Sequence, residues 1–277
     1  LTNKPPLSRA TLDQLPALRF IAVTATGYDM VDVAAAGRRG IAVANVPEYG
    51  TDSVAQFVFA LLLALCHRVE APDRAVKAGQ WQASPDWCFW NTPQVLLSGR
   101  KIGIVGFGRI GRRVGALAHA FGMEVLAFDP VQQAPPGFSN FNYTSLRDLF
   151  SQADVVTLHC LMNEQNKGFV DRTLLSLMKP GAFFINASRG GLVNERDLAD
   201  ALNGGRIAAA VDVVAAEPVR PENPLLKAAN CLVTPHIAWA TSAARQNLMN
   251  ATVANIKAFM AGRPVNVVNP AGARQGA

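Results

Sequence analysis

Short apolar runs recur along the chain, and stretches with helical spacing lie between them. The strand-like runs are 20–24, 41–45, 101–105, 124–128, 155–159, 182–186, 207–213 and 231–234. Several are apolar at almost every position, as strands of a parallel sheet buried on both faces are. Helical patterns fall at 54–69, 109–121, 146–151, 171–177, 195–203 and 242–260, with Thr51, Asp52 and Ser53 offered as caps for the first. This alternation predicts an α/β fold: a doubly wound parallel sheet with helices on both faces. Residues 54–69 are apolar nearly all round, which predicts a helix buried in the core or against another subunit. Gly204 and Gly205 are placed to end one helix. Residues 83–93 set Trp87, Phe89 and Trp90 among prolines, which predicts a loop with large apolar anchors, packed within the chain or against a second copy.

Composition narrows the class. The chain has 277 residues, half of them hydrophobic and 17% charged, which suits a globular protein of one or two domains. The longest apolar stretch, 54–66, is interrupted by Gln56 and is shorter than the roughly 20 residues that span a bilayer. The opening LTNKPPLSRATLDQLP lacks a signal-peptide pattern. Four cysteines are scattered without a C-x-x-C pair, so the expectation is a reducing, cytoplasmic compartment with neither disulfides nor a bound metal. The net charge of +6 is not gathered into basic blocks with interleaved aromatics. Nucleic-acid and membrane partners are therefore not expected, and the field is read as one that draws in small anions.

One segment carries a nucleotide signature. The strand-like run 101–105 leads into Gly106-Phe107-Gly108-Arg109-Ile110-Gly111, and a helix opens at once. Gly106 allows a tight turn, Gly108 lets backbone approach a pyrophosphate, and Gly111 allows close helix–strand packing. The helix start supplies amide donors and positive potential, so residues 106 and 108–111 are read as cofactor-binding. The next strand ends in Asp129, placed to accept hydrogen bonds from ribose hydroxyls. Its charge would repel a 2′-phosphate, which predicts NAD(H) over NADP(H).

Three ionisable residues follow later strand-like runs: Arg189 in INASRGGLV, Glu217 in VDVVAAEP and His236 in VTPHIAWAT. Open α/β sheets build their sites at strand ends. A cation, a carboxylate and an imidazole gathered there suit acid–base chemistry on a small anionic substrate.

These motifs, together with LHC at 158–160 and VTATGYDMVD near the start, resemble the D-isomer-specific 2-hydroxyacid dehydrogenases across nearly the whole chain. VANVPEYGTDSVAQ and AFMAGRPVNVV are most similar to the glycerate dehydrogenase/hydroxypyruvate reductase branch. The resemblance implies a Rossmann-type nucleotide domain at 52–242 and a smaller, flavodoxin-like substrate domain from 1–51 and 243–277. Members carry further residues ahead of the point matching Leu1, so that second domain is expected to be N-terminally incomplete, with a bared sheet edge. Leu161 departs from the proline common in the family. The implied chemistry is NADH-dependent reduction of hydroxypyruvate or glyoxylate to D-glycerate or glycolate, and its reverse, in a homodimer joined through the nucleotide domain.

Roles for single residues follow from the same resemblance. Arg189 anchors the substrate carboxylate and polarises the ketone, and His236 exchanges the proton. Glu217 orients the ring and favours its protonated form. Asp212 meets the nicotinamide carboxamide. His159, Cys160, Ala187 and Ser188 line the cofactor cleft, which His236 also borders, while Thr26 and Gly27 join Arg189 and His236 at the substrate. Two alternatives stand beside this reading: a phosphoglycerate dehydrogenase-like enzyme, and a dinucleotide-sensing interaction protein of the corepressor type.

Overall fold

The computed structural model describes residues 1–132, 137 and 139–269. The chain divides into two compact units, one of Leu1–Ser53 with Trp239–Ala277 and one of Val54–Ala238. Residues 270–277 of the expected C-terminal segment lie outside the described residues.

The first unit begins with α1 (Arg9–Asp13), β1 (Phe20–Ala22), α2 (Val33–Arg38) and β2 (Ala42–Ala44). β1 and β2 are parallel, and Thr2 bridges to Val23 beyond β1. Leu12, Ile21, Val23, Ile41 and Val43 form its core. Neither α1 nor α2 carries an apolar stripe long enough to register as a helical pattern. Each is instead fixed by a side-chain cap, Ser8 on the amide of Thr11 and Asp32 on the amide of Ala35.

The second unit is built on α3 (Thr51–His67), α4 (Glu70–Lys77), β3 (Lys101–Val105), α5 (Arg109–Ala120), β4 (Glu124–Phe128), β5 (Phe141–Tyr143), α6 (Leu146–Gln152), β6 (Val155–Leu158), α7 (Arg172–Leu175), β7 (Phe183–Asn186), α8 (Glu195–Asn203), β8 (Ala208–Val211) and β9 (Cys231–Val233). The chain then returns to the first unit in α9 (Ser242–Met260).

β3 to β9 form one sheet in the order β5-β4-β3-β6-β7-β8-β9, and every neighbouring pair is parallel. The chain steps outward from β3 to β5, returns to the centre at β6, and steps outward again. That reversal lies between β3 and β6, and it opens the crevice at their carboxyl ends where ligands settle in such sheets.

Strand alternation divides the interior into two layers. Val156, Leu158, Phe184 and Val211 point to a core shared with Leu149, Phe150, Leu198 and Leu202 of α6 and α8. Val155, Phe183, Ile185 and Ala210 point the other way, to Val58, Leu62 and Leu65 of α3 and Val114 of α5. The all-round apolar helix is therefore a core helix of this unit. It starts at Thr51, so Thr51, Asp52 and Ser53 form its first turn rather than cap it. Gly204 and Gly205 do close α8, Gly205 with φ +68 and its amide on the carbonyl of Leu202.

In the tryptophan loop Phe89 is half-buried, whereas the two indole rings are exposed. Trp87 and Trp90 are 86% and 72% exposed, with Trp81 Nε1 donating to the carbonyl of Trp87. Among the described residues no single helix is long and apolar enough to cross a membrane.

Candidate active site

The glycine loop leaves β3 at the switch point. Gly106 has φ +92, and a Cβ there would stand 2.5 Å from the amide nitrogen of Cys160, so only glycine fits. A Cβ on Gly111 would overlap the carbonyl of Gly106, whereas the space above Gly108 is open. Phe107 turns inward, 1% exposed, against Phe141 and Tyr143 of β5, with the Arg112 guanidinium 5.6 Å from its ring centre. The loop is thus anchored from below while the backbone around Gly108 and the first turn of α5, with Arg109 and Ile110, faces outward. That arrangement fits a pyrophosphate.

Asp129 follows β4. One carboxylate oxygen accepts the amide of Phe107 at 2.8 Å and the other the amide of Val131 at 2.9 Å. The acid is thereby tied to the glycine loop, with lone pairs left on both oxygens for hydroxyls.

His159 and Cys160 follow β6. The His159 amide donates to Val105 at 2.7 Å, and its Nε2 lies 3.0 Å from Thr157 Oγ1. Burial pushes the His159 imidazole down to about 3, so the ring is neutral. Burial likewise pushes the thiols of Cys66, Cys160 and Cys231 up to about 11. Among the described residues no group of His, Cys, Asp and Glu is placed to hold a metal ion.

The polar residues belong to the carboxyl ends of β7, β8 and β9. Asn186, Val211 and Val233 are register partners in one row across these strands. Arg189, Glu217 and His236 follow that row within a few residues each. At β7 the buried Asn186 folds the turn: its Oδ1 accepts the amide of Ser188, and its Nδ2 donates to the carbonyl of Arg189. Ser188 Oγ donates to the carbonyl of Cys160 at 2.8 Å, which links the segment after Ala187 to the cofactor side.

Gly190 closes this turn onto β8's extension. A Cβ at that position would overlap the backbone carbonyl of Val214, so the absence of a side chain lets the Arg189 turn lie directly on the segment leading to Glu217. Across it, His236 Nδ1 lies 2.7 Å from Glu217 Oε2, each side chain about one-quarter exposed.

Asp212 holds the histidine's own loop. It is 1% exposed, and its carboxylate accepts from Thr234 Oγ1 at 2.6 Å, from the Ile237 amide at 2.9 Å and from the Ala238 amide at 2.8 Å. Its carbonyl accepts the amide of His236 at 2.8 Å. His236 itself has φ +57, a left-handed conformation that costs on the order of 1–3 kcal/mol outside glycine. The buried carboxylate offsets that strain with three donors. Sequence alone gave Asp212 no such task.

Thr26 and Gly27 lie in the other unit. Thr26 Oγ1 donates to the carbonyl of Val46 at 2.9 Å and its carbonyl accepts from Asn45 Nδ2 at 2.7 Å, which shapes the loop after β1. The sequence does not announce Asn186, which folds its own turn, nor Gly190 and Glu195, whose partners lie in other segments. The one available signal was a polar Asn186 closing an otherwise apolar strand.

Comparison with known proteins shows the family. The family described as "D-isomer specific 2-hydroxyacid dehydrogenase, NAD binding domain" matches residues 59–238. A hydroxypyruvate reductase of Blautia hydrogenotrophica is 48% identical over 269 residues, covering 97% of this chain and 84% of that protein. A glycerate dehydrogenase of Methylorubrum extorquens is 40% identical over 271 residues, with the same coverage of 97% and 84%. Among solved structures, an NADPH-dependent glyoxylate/hydroxypyruvate reductase of Sinorhizobium meliloti, in complex with NADP and malonate, superposes with a TM-score of 0.87 at 30% identity, over 99% of this chain and 84% of that one. With a dinucleotide-type sheet, a fitted glycine loop and an imidazole–carboxylate pair at its edge, the chain belongs to the D-isomer-specific 2-hydroxyacid dehydrogenases, enzymes that bind a nicotinamide dinucleotide.

Proposed function

We propose that this chain reduces hydroxypyruvate or glyoxylate to the corresponding 2-hydroxy acid with NADH, and catalyses the reverse oxidation. The observation that carries this reading is the 2.7 Å contact between His236 Nδ1 and Glu217 Oε2, at the sheet edge that also bears Arg189. A bound nicotinamide dinucleotide supplies the hydride. The Arg189 guanidinium binds the substrate carboxylate and ketone oxygen with its planar fork, which polarises the carbonyl. Glu217 engages Nδ1, which leaves Nε2 of His236 to give a proton to the ketone oxygen and to recover it in oxidation. The relatives described above support the substrate class by their own activities.

NADH is favoured over NADPH because the Asp129 carboxylate would face a 2′-phosphate with like charge. The Sinorhizobium meliloti relative is NADPH-dependent, so family membership does not decide the cofactor and this reading rests on Asp129. Two copies are proposed to associate through the nucleotide-binding unit, supported by the exposed rings of Trp87 and Trp90, which suit the centre of an interface. Light scattering on the eluting peak tests that mass directly.

The functional test is a panel of hydroxypyruvate, glyoxylate, pyruvate and 3-phosphohydroxypyruvate, each with NADH and NADPH. The expected result is fastest turnover of hydroxypyruvate or glyoxylate with NADH. Preference for the phosphorylated acid would make the enzyme phosphoglycerate dehydrogenase-like. Dinucleotide binding without turnover of any acid would favour a sensing protein.

A further inference from the structure

Glu195 opens α8, one residue after the capping Asn194. An acid at a helix start is ordinary. Its side chain, however, reaches across to another segment. Oε1 accepts the amide of Ala215 at 2.7 Å, and Oε2 accepts from Asn223 Nδ2 at 2.9 Å. These two partners bracket Glu217 in the chain. Asn223 is itself buried, and its Oδ1 takes the amide of Leu225, so its amide group is fixed in orientation.

One carboxylate therefore spans the neck of the excursion that delivers Glu217 to His236. Hydrogen bonds to an ionised acceptor are shorter and stronger than neutral ones. On the side of Ala215, the overlap-limited packing of Gly190 on Val214 leaves the neck no slack. A shift of about 1 Å at Glu217 would take the 2.7 Å contact with His236 beyond hydrogen-bonding range.

We propose that Glu195 is a positioning residue for the Glu217–His236 pair. It touches neither substrate nor cofactor and acts by fixing where the Glu217 carboxylate arrives. This rests on the function proposed above and deepens the account of that same site.

The test uses the full chain with Glu195→Ala, Glu195→Gln, Glu217→Gln and the double variant Glu195→Ala/Glu217→Gln. The first readout needs no substrate: the pH at which the His236 ring resonances titrate by NMR. Glu195→Ala is expected to move that midpoint in the same direction as Glu217→Gln moves it. Glu195→Gln, which keeps an acceptor for Ala215 but opposes a donor to Asn223, is expected to fall between Ala and wild type. The second readout is kinetic. Glu195→Ala is expected to lower kcat about tenfold with a smaller change in KM. The same change made in the Glu217→Gln background is expected to cost less than about twofold, because the carboxylate it positions is already gone.

A folded Glu195→Ala protein with the wild-type ring titration would overturn the proposal. So would single-variant effects that multiply in full in the double variant. Should Glu195→Ala fail to fold, Glu195→Gln bears the same two readouts. Absence of turnover in the wild type would remove the functional reading, while the ring titration still decides the role of Glu195.

Discussion

The amide of His236 donates to the carbonyl of Asp212 at 2.8 Å, while the Asp212 carboxylate takes the amides of the two residues that follow. One buried acid thus dictates the backbone at His236, the residue proposed to exchange the proton. Asp212→Asn keeps the shape but replaces an acceptor with a donor facing an amide. We predict a loss of about 2 kcal/mol and a fall in Tm of about 4–8 °C, with kcat down about tenfold or more as the imidazole drifts. Thermal unfolding and steady-state kinetics check both, and an unchanged Tm would contradict the account of Asp212.

The imidazole can be probed directly. His236→Ala is predicted to lower kcat by about 10²–10⁴-fold while dinucleotide affinity by fluorescence titration stays within roughly twofold. Full turnover in that variant would take His236 out of the proton-transfer role.

Glu217→Gln tests the pair by kinetics. The amide keeps the size of the side chain and removes its charge, which weakens the contact that orients the ring. Reductive kcat is predicted to fall about tenfold or more as the ring loses its orientation. Steady-state kinetics check this, and a wild-type kcat would mean that the 2.7 Å contact does not position the ring.

Gly190→Ala tests the close packing of two active-site segments. The added methyl would overlap the carbonyl of Val214, so the Arg189 turn or the Glu217 segment must move. We predict destabilisation of about 1–3 kcal/mol together with a raised KM for the keto acid, since Arg189 is displaced. Wild-type stability and KM would show that the two segments part without cost.

His159 gives a stability prediction with a defined sign. Its folded value lies near 3, below the ordinary 6.5, so between these pH values the unfolded chain binds the extra proton. Stability is full above 6.5 and declines as pH falls, with a limiting slope of about 1.4 kcal/mol per pH unit for one proton. Denaturant midpoints between pH 7 and 4 should fall more steeply for wild type than for His159→Gln. Parallel curves would mean that His159 takes up no proton on unfolding.

Much of this protein was legible in its sequence, for identifiable reasons. The apolar runs of β3, β4, β6 and β7 are the direct imprint of burial on both faces, and each run falls within a residue or so of its strand. Other elements left no such imprint. β5 is a three-residue edge strand with an exposed Asn142 at its centre, and α4 is short, mostly polar and buries no residue, so neither stands out as an apolar run. The tryptophan loop marks another limit: its rings could pack within the chain or against a second copy, a choice no local pattern makes, and Trp87 and Trp90 are exposed on this chain.

What the sequence by itself determined is therefore what local pattern encodes: a parallel α/β sheet, a glycine loop shaped for a dinucleotide, and polar residues just past the strands. Side-chain period and backbone freedom are properties of neighbours along the chain. Tertiary structure alone decided the supports: Asp212 beneath His236, Gly190 against Val214, and Glu195 across the neck of the Glu217 excursion. Such contacts join segments 20 or more residues apart and are made only when strands pair in one register, so no local pattern can announce them.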